Sequence, residues 1–549
     1  MEPVGAAATR PQVETFHQIV VWPLQLMPSA DGDARPPWER LIETDGPWCE
    51  LQDDFPADAA LYQERHYREF VAFLPHVRRF LYGERASGDR AVYGESPMRI
   101  FRRTDVAGLR LGLDGRAVPL DLTVVHVDLY FFYDVDVVIL VVEVTGRDLP
   151  LADAQEILYR LGRAYPAGWD ADGDALNCFR SVEWLDRDGR VLATSDDHDR
   201  ARFMTAVCRR QSTALSAHWA WLLAPLSLDP CEAPPVAAYR QLEFHRMPIL
   251  AFLALDDPRR LTRADAMRLA FASAPGAPDD LPYGADFLAD FEAKHCWDRF
   301  HDPARRDGWN DTRLMCSRQA FVAVGDARRP FVVDPERGAL AQFRHQFFLV
   351  GLIAHFHRAA LLMLSDRLVG TMNRLDPRRR ESVGRFRHDI RATLEVFLRF
   401  THRYYFSEIS DQAPLREIFQ LWRGHLGTQR LYEELREEIG DMAGYLETDL
   451  LRRQAVTILQ LTVVTLFSQI GMLATGFLGM NIFGWAEAET PTKIAIFLAA
   501  LLPSALITFY TVLKARRLAV FLDSLANEKL DWKAKWRALG DVWKSGRTP

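Results

Sequence analysis

Residues 455–478 read AVTILQLTVVTLFSQIGMLATGFL, and Gly479-Met480-Asn481 follows them directly. The stretch has about 24 residues and no charge, whereas a helix needs about 20 apolar residues to cross the hydrocarbon core of a bilayer. A second uncharged stretch of about 20 residues, 494–513, comes after a short acidic loop. The sequence therefore predicts a two-helix transmembrane hairpin over 455–513, with a loop at 479–493.

The basic residues beside this hairpin predict its orientation. They lie before the first span and after the second: Arg452, Arg453, Lys514, Arg516 and Arg517. The loop between the spans carries Glu487 and Glu489 against a single Lys493. Because basic residues are retained on the cytoplasmic side, we expect both termini in the cytoplasm and the loop outside. The chain would then be a multi-pass protein of the inner (plasma) membrane.

Length, charge and cysteine content exclude several other classes of protein. A chain of 549 residues is too long for one core and should divide into several units. Its net charge of −7 comes with no concentrated basic face, so no nucleic-acid partner is expected. The six cysteines form no CxxC pair and all precede the first span, which predicts free cytosolic thiols. No nucleotide-binding glycine loop or nucleophile motif indicates an enzyme.

Residues 1–336 are predicted to form a cytosolic mixed α/β domain. Residues 16–22 are rich in β-forming side chains, and 122–144 has two such runs on either side of Asp134-Val135-Asp136, which predicts a hairpin. Helices are predicted after Pro150 and across 198–223. The rest of the domain, from residue 256 onward, is rich in turn-forming residues and is predicted to be irregular with short helices.

Residues 337–454 are predicted to be helical. Segments 339–375 and 381–406 should form an antiparallel pair, and a stalk helix should run unbroken from Pro414 into the membrane, since only single glycines interrupt its pattern. After the hairpin, 514–549 is expected to be a basic amphipathic cytosolic tail. The expected fold class is an α+β cytosolic domain followed by a long α-helical stalk and two C-terminal transmembrane helices.

The C-terminal part of the chain resembles the CorA family of magnesium transport proteins. The shared features are a long helix that enters the membrane, a Gly-Met-Asn end, a short loop, a second span and a basic tail. The match is best over 445–513, where Glu487 stands at the same offset after the motif as the family's outer-loop glutamate. The chain departs from the family at Leu478, where an aromatic residue is common, and at Ala486, which replaces a proline. The resemblance implies a CorA-like homopentamer in contact with membrane lipid. It also implies a divalent cation, most directly magnesium, as substrate and possible regulator, with no covalently bound cofactor.

Asn481 is the candidate selectivity-filter residue, with Gly479 and Met480 setting the backbone bend that would aim it. Magnesium prefers octahedral oxygen coordination and gives up its water reluctantly. A neutral amide oxygen can accept hydrogen bonds from the water shell of the ion. One asparagine per chain cannot form a ring, so this mechanism requires an oligomer. The alternative is that Asn481 only caps the end of a helix.

Six positions counted back from the motif match the offsets of the family's pore-facing residues: Gly476, Met472, Gln469, Thr465, Leu461 and Ile458. The resemblance implies that they line a pore. Polar side chains inside a bilayer usually face an interior or a cavity, which suits Gln469 and Thr465, and the apolar members would form constrictions that gate by dewetting. Ordinary helix packing, with hydroxyls bonded to backbone carbonyls, is the alternative.

Carboxylates could attract cations at two further places. Glu487 and Glu489 would raise the cation concentration at the outer mouth, although solvated loop acids are common. An acidic run on the stalk is a candidate magnesium-regulatory site or a solvated face: Glu433, Glu434, Glu437, Glu438 and Asp441. His295, Cys296 and His301 lack the fourth ligand of a typical zinc site.

These patterns predict a passive divalent cation channel or transporter, most directly for magnesium uptake driven by the membrane potential. A zinc, cobalt or nickel transporter of the same architecture is the alternative within transport. A non-conducting membrane sensor or scaffold is the alternative class, because the cytosolic part is longer than in typical members of the family.

Overall fold

A strand of 15 residues, β1 (Gln12–Leu26), is the central strand of a large sheet in this computed structural model. The structure describes residues 10–27, 35–44, 46–51, 64–83, 96–228, 236–243, 246–277, 280–302, 311–376, 380–479 and 489–499, with 502, 503, 506 and 509. The chain divides into two units, Met1–Glu437 and Glu438–Pro549. The sheet belongs to the first unit.

The other strands of the described sheet are β2 Trp48–Glu50, β3 Met98–Arg103, β4 Gly108–Gly112, β5 Leu120–Phe132, β6 Val137–Pro150, β7 Ser181–Leu185, β8 Val191–Thr194, β9 Tyr239–Gln241, β10 Ile249–Leu255, β11 Cys296–Trp297, β12 Arg313–Cys316 and β13 Ala320–Asp326. Their order is β11-β12-β13-β10-β1-β6-β5-β4-β7-β8, with β2 beside β3, β3 beside β5 and β9 beside β1. Neighbours are antiparallel except β10 and β13. The predicted strand at 16–22 and the predicted hairpin at 122–144 are confirmed as part of β1 and as β5–β6.

The described helices are α1 Pro37–Glu43, α2 Glu64–Ala72, α3 Pro75–Tyr82, α4 Leu151–Arg160, α5 Arg200–Arg210, α6 Ala217–Leu223, α7 Arg263–Phe271, α8 Ala285–His295, α9 Pro330–Val333, α10 Ala339–Gln342, α11 Phe348–Asn373, α12 Arg380–Arg403, α13 Ala413–Leu426, α14 Thr428–Gly479 and α15 Thr490–Ala499. A π-helical turn, Phe343–Phe347, joins α10 to α11. The helix predicted after Pro150 is confirmed as α4.

The sheet is covered on both faces, which explains why nearly all of β1 is buried. On one face, α4, α6 and α7 bury their apolar side chains in a continuous core with those of β1, β5 and β6. On the other face, α11 packs on β1 and β6, and Phe356 stacks on Phe132 at a centroid distance of 3.9 Å. A strand buried on both faces has to be apolar at successive positions rather than at alternate ones, and the run Ile19-Val20-Val21-Trp22 satisfies this requirement.

The helical part of the first unit confirms two predicted helices. Residues 339–373 are helical through α10, the π turn and α11, and α12 corresponds to the predicted helix at 381–406. α11 and α12 pack together at Phe356 and Phe400, whose ring centroids are 6.1 Å apart. Gly351 of α11 lies so close to Trp422 of α13 that a Cβ there would be 2.9 Å from the indole ring.

Three predictions about this unit are wrong. The helix expected across 198–223 is two helices, because Gln211 adopts a left-handed conformation (φ 52°) that ends α5. The region from residue 256, expected to be irregular with short helices, does contain the short helices α7, α8 and α9. It is not otherwise irregular, because it also contains β12 and the fully buried β13, whose short apolar run lies among turn-forming residues. The helix expected to run unbroken from Pro414 ends at Gly427 (φ 65°), where α13 stops and α14 begins at Thr428.

Candidate pore helix and a buried charge network

The six predicted pore-lining residues lie on α14, and all of them are exposed. The exposed fraction is 63% for Ile458, 62% for Leu461 and 71% for Met472, and Thr465, Gln469 and Gly476 are also exposed. At about 100° per residue the six positions fall within about 80° of arc. They therefore form one open stripe along the helix.

The opposite side of this helix is partly covered. Val463 is buried, at 3% exposure, and Leu459 and Gly471 are half-buried. At about 100° per residue, these three positions lie about 120° or more around the helix axis from the centre of the stripe. The stripe is thus the open side of α14, and Val463 is on the side that the protein covers.

The polar members of the stripe differ in how they are satisfied. Thr465 Oγ1 donates a hydrogen bond to the carbonyl of Leu461 at 2.8 Å, as a threonine inside an ordinary helix does. Gln469 has no hydrogen-bond partner in the part of the chain that the structure describes. Gln469 is therefore the polar group of the stripe that still requires a partner, such as water, an ion shell or a second chain.

The predicted filter is described only at its edges. α14 ends at Gly479, which is exposed, while Met480, Asn481 and Glu487 lie outside the described residues. Glu489 immediately precedes α15, and its backbone carbonyl accepts hydrogen bonds from the amides of Thr492 (3.0 Å) and Lys493 (3.2 Å). A carboxylate there also suits the positive end of the helix dipole. Glu489 therefore caps the N-terminus of α15, and this role is separate from any attraction of cations.

One described helix, Ala339–Asn373, is long and apolar enough to cross a membrane by length and composition. However, 89% of its most apolar window is buried inside the protein, as in the core helix of a soluble domain. Shorter apolar helical segments cover Thr457–Leu466 and Thr490–Ala499. The helical character predicted for the C-terminal region is confirmed for α14 and α15.

The other predicted cation sites are not assembled in the described residues. In the acidic run of α14, Glu433 accepts a hydrogen bond from Gln429 at 2.6 Å and Glu434 pairs with Arg430 at 2.8 Å, as on a solvated helix face. His295 is bonded to the carbonyl of Cys316 and stacks on His425 at 3.9 Å. Within the described ranges, no group of three or more His, Cys, Asp or Glu side chains could hold a metal ion.

A network of alternating charges, which the sequence patterns did not predict, crosses four strands of the sheet. Arg102 of β3 donates two hydrogen bonds to Asp128 of β5, both at 2.8 Å. His126, two residues before Asp128, lies 3.1 Å from Asp128 and 2.9 Å from Glu143 of β6. Glu143 also contacts His17 of β1 at 3.0 Å. We call these residues, together with Arg344, the charge ladder.

Strand register and the π turn bring the ladder together. Arg102 is opposite Asp128, and His126 is opposite Glu143, so their side chains share one face of the sheet. Arg344 comes from the π turn and donates to both oxygens of Glu143, at 2.6 and 3.0 Å. Because π turns are rare and often occur at functional positions, this contact indicates a specific link between the helix and the sheet.

Burial makes the ladder energetically important, because a buried charge is tolerated only when it is paired. Burial lowers the pKa of His126, but the contacts with Asp128 and Glu143 outweigh this effect and raise its pKa to about 9. Burial raises the pKa of Glu143, but its bonds to His126, His17 and Arg344 outweigh burial and hold the pKa well below the ordinary value. For the same reason the bonds from Arg102 and His126 keep the pKa of Asp128 low. His126 is therefore positively charged between two carboxylates at neutral pH.

The ladder has two histidines and two carboxylates, but its geometry does not suit a metal ion. Arg102 occupies both oxygens of Asp128, and Arg344 occupies both oxygens of Glu143. A cation would have to displace a guanidinium from each carboxylate. The sequence signal for the ladder was present in the isolated His126, Asp128 and Glu143 inside otherwise apolar runs, since charges there require partners.

Comparison of the chain with protein-family models, with curated proteins and with solved structures finds no match. The assignment of a function therefore depends on the residues and the geometry described above.

Proposed function

We propose that this protein is a CorA-like divalent cation channel or transporter of the inner membrane, most directly for magnesium uptake. The observation that carries the proposal is the open stripe on α14, which combines apolar positions with Gln469 and leads to Gly479. Met480 and Asn481 follow in the sequence. A stripe of this composition at the end of a long helix suits a pore better than a buried core, because a core residue would be covered.

The exposed apolar surface of the second unit supports a membrane location. Large apolar side chains are open on both α14 and α15: for example Leu466 at 57%, Ile494 at 54% and Phe497 at 55% exposure. Soluble proteins rarely expose contiguous apolar surface on this scale without a function for it. In the proposal these side chains face lipid or neighbouring copies, and the spans are 455–478 and 494–513.

In the proposed mechanism, Asn481 from each copy of a homopentamer forms a ring of amide oxygens. These oxygens accept hydrogen bonds from the water shell of the ion, so the ion need not be dehydrated before it is selected. A ring of carboxylates would bind a divalent cation more tightly and would slow its release. Glu487 and Glu489 add negative charge at the entrance.

Below the ring, the stripe would form the conduction path. Gln469 can hydrogen-bond the water shell through its carbonyl oxygen or its amino group. Met472, Leu461 and Ile458 would form apolar rings that exclude water when the pore is narrow. A 2+ ion that moves inward gains about 4.6 kcal/mol at 100 mV, so the proposal requires no nucleotide hydrolysis.

A zinc, cobalt or nickel transporter would use the same framework, and the flux experiment distinguishes these ions. The second class of function is a non-conducting sensor or scaffold. The extent of the first unit, Met1–Glu437 with its large sheet, favours this class as the alternative.

The test is divalent cation flux into proteoliposomes under a membrane potential, with magnesium, zinc, cobalt and nickel compared for wild type and Asn481→Ala. We expect wild-type flux that the substitution abolishes. Asn373→Ala is the matched control, because it makes the same chemical change at an exposed position near the end of α11. Absence of flux for all four ions from folded wild-type oligomers would contradict the transport proposal and favour the sensor or scaffold.

A further inference from the structure

Helix α5, Arg200–Arg210, has its faces reversed relative to an ordinary surface helix. Phe203 is the only one of its residues that is buried, and its ring packs on Trp169 at 5.8 Å. A surface helix of a globular protein normally buries an apolar stripe and exposes its polar side. In α5, however, most of the apolar side chains are left outside.

The outward face of α5 is uncharged along its centre. Met204 is 50% exposed and Val207 is 46% exposed, and Ala201, Thr205 and Cys208 are exposed beside them. At about 100° per residue, Ala201, Met204, Thr205 and Cys208 cover the side of the helix that faces away from Phe203. Val207, one turn after Phe203, lies on the flank between that side and the buried ring. The result is a narrow apolar strip open to the surroundings.

Arginines border this strip, and α5 has no acidic residue. The nearby acids have other partners: Asp196 pairs with Arg202, Asp197 bonds to Ser216, and Asp199 caps the helix by accepting from the amide of Arg202 at 3.1 Å. Arg200 and Arg209 are exposed at the two edges of the strip. A partner of α5 should therefore offer negative charge together with apolar surface.

We propose that α5 docks on the surface of an anionic lipid bilayer, with Arg200 and Arg209 on phosphate groups and Met204 at the boundary with the acyl chains. Helices that lie in the membrane interface combine an apolar strip with basic borders in this way. The proposal depends on the membrane location in the proposed function but not on transport.

The acidic run on α14 of a second copy suits α5 less well than a bilayer does. The run from Glu433 to Asp441 on α14 is acidic and exposed, so it supplies the negative charge. Its exposed positions there are Glu433, Glu434, Arg436, Glu437, Glu438, Gly440 and Asp441, so it offers no apolar surface to Met204 and Val207. An anionic bilayer provides both properties.

Cys208 permits a direct test on the full-length protein, because it is a free and exposed cysteine on the strip. A small fluorophore is attached there in a Cys49→Ser, Cys231→Ser background. The protein is reconstituted in vesicles of phosphatidylcholine alone or with one quarter phosphatidylglycerol, each containing a doxyl-labelled lipid that quenches by contact. We expect quenching in the anionic vesicles and much less in the neutral ones.

The variants distinguish lipid docking from other causes of quenching. Arg200→Gln and Arg209→Gln should each weaken the docking equilibrium about fivefold, because a basic residue near an anionic surface contributes about 1 kcal/mol. Arg187→Gln is the matched control, since Arg187 is exposed in the turn between β7 and β8 and should not affect quenching. Asn481→Ala should leave quenching unchanged, so failure of transport and failure of docking are separable.

Three results would overturn the proposal. Quenching by aqueous iodide but not by doxyl lipid in anionic vesicles would show that α5 remains in water. Protection from both quenchers would identify a protein partner, such as a second copy, in place of lipid. If the protein does not float with the vesicles, the membrane location is wrong and the docking proposal fails with it.

Discussion

Helix α11 and the apolar part of α14 have similar compositions and opposite surroundings. In the helix Ala339–Asn373, which contains α11, 89% of the apolar window is buried, whereas Ile458, Leu461 and Met472 of α14 are more than half exposed. Apolar composition therefore indicates that a helix leaves water but does not indicate what replaces the water. The charges nearby supply the missing information: α11 faces a sheet with paired charges, and residues 455–478 have none at all.

The largest loss of folding stability is expected from a substitution of Glu143. This residue lies on the sheet face that Arg344, just before α11, contacts, so it tests the charged surroundings of α11 directly. Glu143→Gln keeps the shape of the side chain but leaves Arg344 without its buried countercharge and leaves His126 with Asp128 alone. Removing one partner of a buried charge pair costs about 3–5 kcal/mol. Chemical denaturation followed by tryptophan fluorescence measures this loss of stability.

Asp121→Asn is the control for Glu143→Gln. Asp121 pairs with Arg110 at 2.8 Å, but both side chains are substantially exposed. We expect a change of less than about 1 kcal/mol for this exposed pair. Equal effects of the two substitutions would contradict the importance of burial in the ladder.

The ladder also predicts a dependence of stability on pH. The pKa of His126 is raised from its ordinary value of 6.5 to about 9 in the folded protein. This stabilisation is therefore fully present below pH 6.5 and is lost as the pH rises through 9, by about 3 kcal/mol in total. The low pKa values of Asp128 and Glu143 act in the opposite direction, because their contribution is lost only in acid.

The measurement is the free energy of unfolding at pH 6.5 and at pH 9.5 for wild type and His126→Gln. The difference between the two proteins isolates His126 from other groups that titrate in this range. A gap between them that stays constant across the range would show that His126 does not carry a raised pKa.

A smaller effect is expected in the core of α11. Gly351→Ala places a Cβ 2.9 Å from the ring of Trp422 and 3.2 Å from Leu250, and overpacking of this kind typically costs about 1–3 kcal/mol. Gly370→Ala is the matched control in the same helix, because a Cβ there meets nothing within 4 Å. That control should stabilise the protein by about 0.5–1 kcal/mol. Thermal unfolding of both variants decides whether α11 is as tightly packed as the structure indicates.

The smallest effect on folding is expected on the open stripe of α14. Gln469→Leu should leave the thermal stability of the first unit unchanged and lower cation flux, by about tenfold if its contact with the passing ion contributes about 1.4 kcal/mol. Thr465→Val is the comparison, since the hydroxyl of Thr465 is already bonded to Leu461 and should contribute little to flux. Unchanged flux in Gln469→Leu would show that Gln469 only packs against a neighbour.

The features that could be predicted from the sequence are those that depend on local pattern. The β5–β6 hairpin follows from two runs of β-forming residues around an acidic turn, and α4 follows from its helical spacing after Pro150. The residues at which helices end could not be predicted in this way. Gly427 ends a helix in a left-handed conformation, while Gly440 and Gly444 lie inside α14 with open space around them. A single sequence does not distinguish these glycines, because glycine is equally compatible with a helix interior and with the left-handed conformation that ends a helix.

The candidate sites follow the same distinction. The stripe on α14 depends on helical spacing alone, and its six residues do lie on one exposed side. The charge ladder depends on strand register and on a residue about 200 positions away, Arg344. The local pattern therefore shows that His126, Asp128 and Glu143 need partners, but it does not show which residues these partners are. Sequence reasoning therefore located residues that share a helix face and missed residues that meet across strands.

The π turn at Phe343–Phe347 has a consequence for sequence divergence. A π turn closes its hydrogen bonds one residue later than an α-helix does, so loss of a single residue there would restore regular α-helical geometry and rotate Arg344 by about 100° relative to α11. Glu143 would then keep its contacts with His126 and His17 but lose the two hydrogen bonds from Arg344. Homologues that lack the extra residue should therefore also lack an arginine at the position of Arg344, because its partner would be out of reach.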